Sequence, residues 1–315
     1  MNGARCALLA IVLLFPMRAW AWGCKGHETI ALIAEKHLTP HARAIADQIL
    51  RDSPIDPSLP RYCKNTGLDA FTDSSTWADD YRSQRPKTGD WHFIDIPRGA
   101  AQGEIEKYCR SDDCVTSAIR DQMGLLRTAD SPKQRADALR FIIHLVGDLH
   151  QPLHTTTNND RGGNCVPLSF FGQSPQLTNA QNETYAPNLH SIWDFGILER
   201  MTDGETVAQF AEELDGEFRG RMAPWQQEGI RLDDWAWESH EAAERTAYGD
   251  LPRKIPIETP RAGDSCAGDN HIGTRMLSLH ERVAGDYQNA AASVIREQLA
   301  KASVRLAMIL NSIWR

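Results

Sequence analysis

Apolar positions recur at three- and four-residue intervals along most of this chain. "GHETIALIAEKHL" (26–38) carries such a stripe, and Thr39-Pro40 then caps and opens "HARAIADQILRD" (41–52). "LDAFTDSSTWADDYR" (68–82) reads as a third helix and "DDCVTSAIRDQMGLLRTAD" (112–130) as a fourth. A fifth starts at Ser131-Pro132 and carries Ala138, Leu139, Ile142, Ile143 and Val146 on one stripe. "NLHSIWDFGILERM", "GETVAQFAEELDG" and "DDWAWESHEAAERTAY" follow, and the tail from His271 to Trp314 is one long helix or two shorter ones. Alternation of period two is scarce: "WHFIDI" and "CVPLSFFG" are short strands or extended loops. The polar, Gly- and Asn-rich stretch from Thr155 to Asn188 reads as a binding loop, and Pro252 to Gly268 as another loop. With no repeat, low-complexity tract or linker, the pattern predicts one all-α domain.

The first residues form a different pattern. "MNGAR" is a short basic segment, "CALLAIVLLF" an apolar run too short to span a membrane, and "AWA" a small-x-small cleavage site. Residues 1–21 are therefore expected to leave after Ala21, giving a secreted or periplasmic chain of residues 22–315 that starts at Trp22. No later segment is apolar enough for membrane insertion. Cys6 goes with the leader. Cys24, Cys63, Cys109, Cys114, Cys165 and Cys266 remain, an even set that in an exported chain suggests three disulfides. Six cysteines allow fifteen pairings; Cys109 and Cys114 stand close enough for a local loop. The "NET" at Asn182 is a glycosylation sequon.

The chain is acidic, with a formal net charge of −8 and no polybasic run. Loss of Arg5 and Arg18 takes the trimmed chain to about −10. A broad electrostatic grip on nucleic acid is excluded, so any phosphate binding must be local.

Chemistry concentrates in "HLVGDLHQPLH" (144–154). His144 and Asp148, four apart on a helix, lie about 40° apart on one face. His150 turns to roughly the opposite side, and Pro152 ends the helix before His154. The spacing points to His144, Asp148 and His154 as metal ligands without His150; the alternative is a helical His–Asp hydrogen bond beside surface histidines. His190 and Asp194 repeat the spacing, and imidazole with carboxylate suits Zn²⁺ or another first-row metal. His27, Asp79 and His92 are single candidates with ordinary surface or hydrogen-bonded alternatives. His37, His41, His240, His271 and His280 read as background.

"WGCKGH", "WADDYR", "HFID", "HLVGDLHQPLH", "GGN" and "NLHSIWD", in this order, resemble the S1/P1 nuclease family, whose members are secreted zinc-dependent nucleases. The resemblance spans nearly the whole trimmed chain and implies a phospholipase C/P1 nuclease-like helical fold with three Zn²⁺ per chain. It implies one zinc on Asp79, His92, His144 and Asp148. A close neighbour would sit on His27, the shared Asp148 and Trp22 through its α-amine and carbonyl. The third would sit on His154, His190 and Asp194. It further implies Asp79, Arg82 and Asp148 as catalytic residues, with Arg82 steadying transition-state charge; the alternative for Arg82 is a surface helix arginine. Phe93 and Asp95 resemble a nucleoside pocket, with Asn164 lining it and Gly162 and Gly163 allowing close backbone approach; core packing is the alternative for Phe93. The implied disulfides are Cys24–Cys63 and Cys109–Cys114, leaving Cys165–Cys266.

The expected activity is hydrolysis of phosphodiester bonds in RNA and DNA, single strands preferred, to 5′-phosphate and 3′-hydroxyl products, with 3′-nucleotidase activity. The partners are nucleic acid and nucleotides, and the chain is expected to be a monomer. Two other readings stand beside it. A zinc-dependent phospholipase C would have a wider gap from the terminal Trp to the first His and a final Glu ligand where Asp194 stands. A non-catalytic zinc- or nucleotide-binding protein would have no need of Arg82.

Overall fold

The computed structural model describes residues 22–63, 68–177, 185–258 and 282–315. The leader, Asn182, Cys266, His271 and His280 lie outside the described residues.

Two helices form the middle of the molecule. α6 (Pro132–Leu149) is capped by the Ser131 hydroxyl, and Pro132 takes the first position, where no N–H is needed. Every residue from Ala138 to Leu149 is buried. α11 (Gly285–Ile313) is buried on all sides from Ala302 to Ala307. Helices apolar on every face belong in the centre, and polar groups placed on them must find partners there. α5 (Val115–Thr128) and α2 (Pro40–Asp52) pack on α6, while α1 (Gly23–Lys36) lies against α9 (Val207–Gln227) and α11. One hydrophobic core runs from Trp22 to Trp314, so the protein is a mainly helical single domain. Among the described residues sheet is confined to two pairs. β1 (Ser169–Phe170) runs parallel to β4 (Arg282–Val283), and β2 (Gln176–Leu177) antiparallel to β3 (Tyr185–Ala186).

The third expected helix is broken. Asp69 caps α3 (Ala70–Ser74), the chain turns at Ser75 and Thr76, and α4 (Trp77–Arg82) resumes. Arg61 clamps this corner: it donates to Asp80 Oδ2 at 2.7 Å, to Thr76 Oγ1 at 2.9 Å and to the Asp73 carbonyl at 3.0 Å. Two residues on, Cys63 is bonded to Cys24 at the start of α1, and Cys109 is bonded to Cys114. Cys165 is disulfide-bonded; its expected partner, Cys266, lies outside the described residues.

Other boundaries moved for identifiable reasons. α9 runs on to Gln227 through Gly216 and Gly220, whose α positions face open space, and Pro224 stands only a turn from its end. α10 (Leu232–Ala242) widens into a π turn at Ala243–Ala247. The tail is not helical at Arg282 and Val283, because their backbone pairs with β1. "WHFIDI" is a 3₁₀ turn at Asp90–His92 followed by extended chain, which exchanges backbone bonds with the segment after α6. Ile94 N donates to His154 O at 2.8 Å and Thr157 N to Ile96 O at 2.9 Å.

Replacing Arg61 with Met strips the buried Asp80 carboxylate of its cation. The expected cost is about 3 kcal/mol, measured by urea unfolding. Most of it should be recovered in Arg61→Met/Asp80→Asn, which removes the stranded charge.

Candidate metal centre

Asp148 lies on the buried face of α6 with no exposed surface. Its two oxygens divide between neighbours: Oδ1 lies 3.3 Å from His27 Nε2, while Oδ2 lies 2.8 Å from His92 Nδ1 and 3.1 Å from His144 Nε2. Asp79 stands beyond, 3.8 Å from both His92 Nδ1 and His144 Nε2. Ligand atoms of His27, Asp79 and His144, and separately of His92, His144 and Asp148, lie within 4.8 Å of one another. His154, His190 and Asp194 make a third such group. His190 Nε2 is 3.2 Å and His154 Nε2 3.8 Å from Asp194.

The rings are aimed from behind. His144 Nδ1 donates to Ser75 O, His154 Nδ1 to His92 O and His190 Nδ1 to Gly162 O, each at 2.7 Å. In each case Nδ1 carries a proton and Nε2 is aimed at the cluster, the arrangement that orients metal-binding imidazoles. The break between α3 and α4 thus has a use: it brings the Ser75 carbonyl to His144. In the third group, a π turn at Ile192–Gly196 replaces the expected α-helix and sets Asp194 over His190.

The helix start completes the assembly. Trp22 is fully buried and takes a left-handed backbone conformation. Its indole N–H donates to the Gly147 carbonyl at 2.8 Å, one residue before Asp148, while its own carbonyl accepts from Gly26 N at 3.1 Å. A Cβ on Gly147 would lie 2.9 Å from His27 Nδ1 and 3.2 Å from Ile30, so α1 crosses α6 here only because this residue is glycine.

Arg82 is 3.6 Å from Asp79. Phe93 is half-buried; Asp95 reaches solvent at a point walled by protein, where lost solvation lifts its carboxyl to about 6. Gly162 and Gly163 also have a structural job. Both are buried with φ of 60° and 85°. A Cβ on Gly162 would overlap the Leu153 carbonyl, and its own carbonyl holds His190. Asn164 Nδ2 donates to Arg161 O at 2.9 Å, and its buried Oδ1 has no partner. The sequence reading missed Asp160, whose fully buried carboxylate ties this loop. It accepts from Asn158 N at 3.0 Å, Gly163 N at 3.1 Å and Tyr248 Oη at 2.8 Å. The only hint in the sequence was an acidic residue shortly before two glycines.

His150 points away from the cluster. Its Nδ1 donates to Val146 O at 2.7 Å, and its Nε2 accepts from the buried Arg305 at 3.0 Å. His240 is a buried hydrogen-bonding partner of Thr156, at 2.9 Å, His37 pairs with Asp215, and His41 is exposed.

The electrostatics suit a cation. Burial holds His154 down at about 4 and His190 at about 3, so both rings are neutral. Burial, with Asp148 and Asp79 nearby, pushes the Asp194 carboxyl well above its usual range. Burial alone would raise Asp148 and lower His144, but their attraction reverses both directions. His27 Nε2, Asp79 Oδ1, Asp148 Oδ1, His154 Nε2 and Asp194 Oδ2 are buried without a hydrogen-bond partner. Orphaned lone pairs of this kind are rare in a core, and here they converge. The donor set, neutral imidazole with carboxylate, fits zinc.

Gly147→Ala should force α1 off α6 at His27. Overpacking of this kind costs about 1–3 kcal/mol. Urea unfolding should show the loss, and dialysed protein should keep less metal than wild type.

Comparison with known proteins agrees with this geometry. The S1/P1 Nuclease family profile matches residues 22–315. Nuclease P1 of Penicillium citrinum is 30% identical over 315 residues, covering 93% of this chain and 97% of its own. Nuclease S1 of Aspergillus oryzae is 26% identical over 324 residues, covering 96% of each. Endonuclease 2 of Arabidopsis thaliana is 24% identical over 304 residues, covering 93% of this chain and 90% of its own. With its family match running from Trp22 to the last residue, the chain belongs to the S1/P1 nuclease family and is an endonuclease.

Proposed function

We propose that this endonuclease is zinc-dependent, hydrolyses phosphodiester bonds of single-stranded RNA and DNA in preference to duplex, leaves 5′-phosphate and 3′-hydroxyl ends, and also removes 3′-phosphates from nucleotides. The observation that carries the reading is Asp148, whose two buried oxygens face different imidazoles, Oδ1 that of His27 and Oδ2 those of His92 and His144. Such a carboxylate suits two divalent ions held side by side. Asp79, His92, His144 and Asp148 would hold one. His27, Asp148 and the Trp22 backbone, its α-amine freed by trimming after Ala21, would hold its neighbour. His154, His190 and Asp194 would hold a third.

Zinc bound there supplies Lewis acidity, polarising the phosphodiester and making water a nucleophile near neutral pH. The protein's own groups do the rest. Asp148 and Asp79 keep negative charge at the centre below that of a divalent cluster, leaving it net cationic for a phosphate. Arg82, beside Asp79, reaches the phosphate oxygens as charge builds on them. Phe93 offers a ring face to a base and Asp95 an acceptor to a base edge, while Asn164 lines the same pocket. The loop tied by Asp160 holds His190 in place. Base stacking contributes about 1–3 kcal/mol, close to the few kcal/mol needed to pull a base from a duplex. Single strands are therefore preferred without duplex being barred.

The test is turnover of a single-stranded oligonucleotide, the matching duplex, a 3′-nucleotide and phosphatidylcholine, with and without chelator. Cleavage of the oligonucleotide faster than the duplex, phosphate release from the 3′-nucleotide, and loss of both on chelation are expected. Hydrolysis of the lipid alone would overturn the assignment. Asp148→Asn should release two of three zinc ions together, as counted by elemental analysis of folded protein. Tyr248→Phe, which removes one support of Asp160, should weaken retention of a single zinc by about tenfold, the scale of outer-shell losses.

A further inference from the structure

Beside the candidate centre lies a cavity of about 440 Å³ that the proposed chemistry does not use. Its inner wall is aromatic: Tyr81, Trp91 and Phe141 form a cluster, with Trp91 and Phe141 5.0 Å apart edge to face and Tyr81 and Phe141 5.8 Å apart. Leu125, 40% exposed, extends the apolar surface to the mouth. Arg85 and Lys87 stand on the rim, both exposed, and neither makes an ion pair with another described residue.

The cavity shares its scaffold with the centre. Tyr81 is on α4 two residues after Asp79, Trp91 immediately precedes His92, and Phe141 is one turn before His144 on α6. Arg82, Arg85 and Lys87 make a short cationic path from Asp79 to the cavity mouth in a chain that is otherwise acidic.

Partly exposed aromatic rings, Tyr81 and Trp91, with exposed cations at the opening match one ligand chemistry, an unpaired nucleobase carrying its phosphate. A purely apolar ligand would have no use for Arg85 and Lys87, and a free phosphate none for the rings. We infer that this cavity is a second strand-binding subsite, which takes a base of the same single-stranded substrate several nucleotides away from the bond being cut. The inference rests on the nuclease reading of the centre. It makes the enzyme sensitive to substrate length: a dinucleotide fills the centre alone, whereas a longer strand engages both places.

The test compares KM and kcat on a dinucleotide and on a single-stranded 12-mer, using zinc-loaded full-length mature protein. Two variants are used. Arg85→Glu/Lys87→Glu reverses the rim charge, and Gln134→Trp, from α6, fills the cavity without touching a residue of the centre. Each should raise KM for the 12-mer by about tenfold at low salt, in line with loss of one stacked base or its phosphate contacts. The kcat on both substrates and the KM of the dinucleotide should stay unchanged. An unchanged 12-mer KM in both variants would overturn the subsite. So would a rise in the charge-reversal variant alone, which would mark general electrostatics rather than a filled cavity. Wild-type protein that cleaves neither substrate would instead overturn the nuclease reading of the centre, so the two failures are distinct.

Discussion

Asp148 imposes the central constraint: a carboxylate with no solvent contact, placed among imidazoles on a helix that is buried on every side from Ala138 to Leu149. Desolvating such a group is expensive unless charge and hydrogen bonding compensate for it. The surrounding architecture is arranged to do that. α1 delivers His27, the 3₁₀ turn at Asp90–His92 delivers His92, and Asp79 comes from α4 itself. The corner that separates α3 from α4 then supplies the carbonyl that turns His144 inward. Each element is held at the core by apolar contacts, and each has one polar residue directed at the same point.

Close approach makes this possible. Gly147 lets α1 cross α6 at van der Waals distance, and the carbonyl exposed there accepts the Trp22 indole. Gly162 does the same on the far side, where only a residue without Cβ can pass the Leu153 carbonyl and still offer its own to His190. The two halves are joined by backbone: the strand-like chain from His92 to Arg98 bonds with His154 to Thr157, so the first and third groups cannot shift independently. Arg305 closes the rear. Fully buried on α11, it meets His150 and the carboxylates of Glu228 and Glu238, which ties the end of α6 to the last helix.

Much of this was legible in the sequence. Helical periodicity located the long elements, because burial of one stripe is what makes a helix periodic. The four-residue His–Asp spacings were informative for the same geometric reason, and the turn of His150 to the other side followed from six residues at 100° each. Tertiary hydrogen bonds were not legible. The break at Ser75–Thr76 answers to Arg61 and His144, both remote in sequence. The π turn at Ile192–Gly196 adds one residue to a helix whose apolar pattern looks ordinary. Asp160 resembles a loop aspartate until Tyr248 is seen beside it, and the structural need for Gly162 shows only when the Leu153 carbonyl appears against it.

Net charge was the least informative number. At −8 the chain repels polyanions from a distance, yet a nuclease must hold one. Range resolves the conflict. At physiological salt the Debye length is about 8 Å, so exposed charges farther away than that are largely screened. Much of the acidic surface is, moreover, already matched: Glu213 and Glu217 with Arg296, and Glu297 with Arg221 and Lys301. On the proposed function, what a bound phosphate would experience is set within a few ångströms by Arg82 and by the cations that Asp79, Asp148 and Asp194 would hold. Those three carboxylates are buried among histidines, so they would act on a metal ion before they could act on substrate. An acidic chain would thereby present a locally positive face, with its central carboxylates held behind the histidines that surround them.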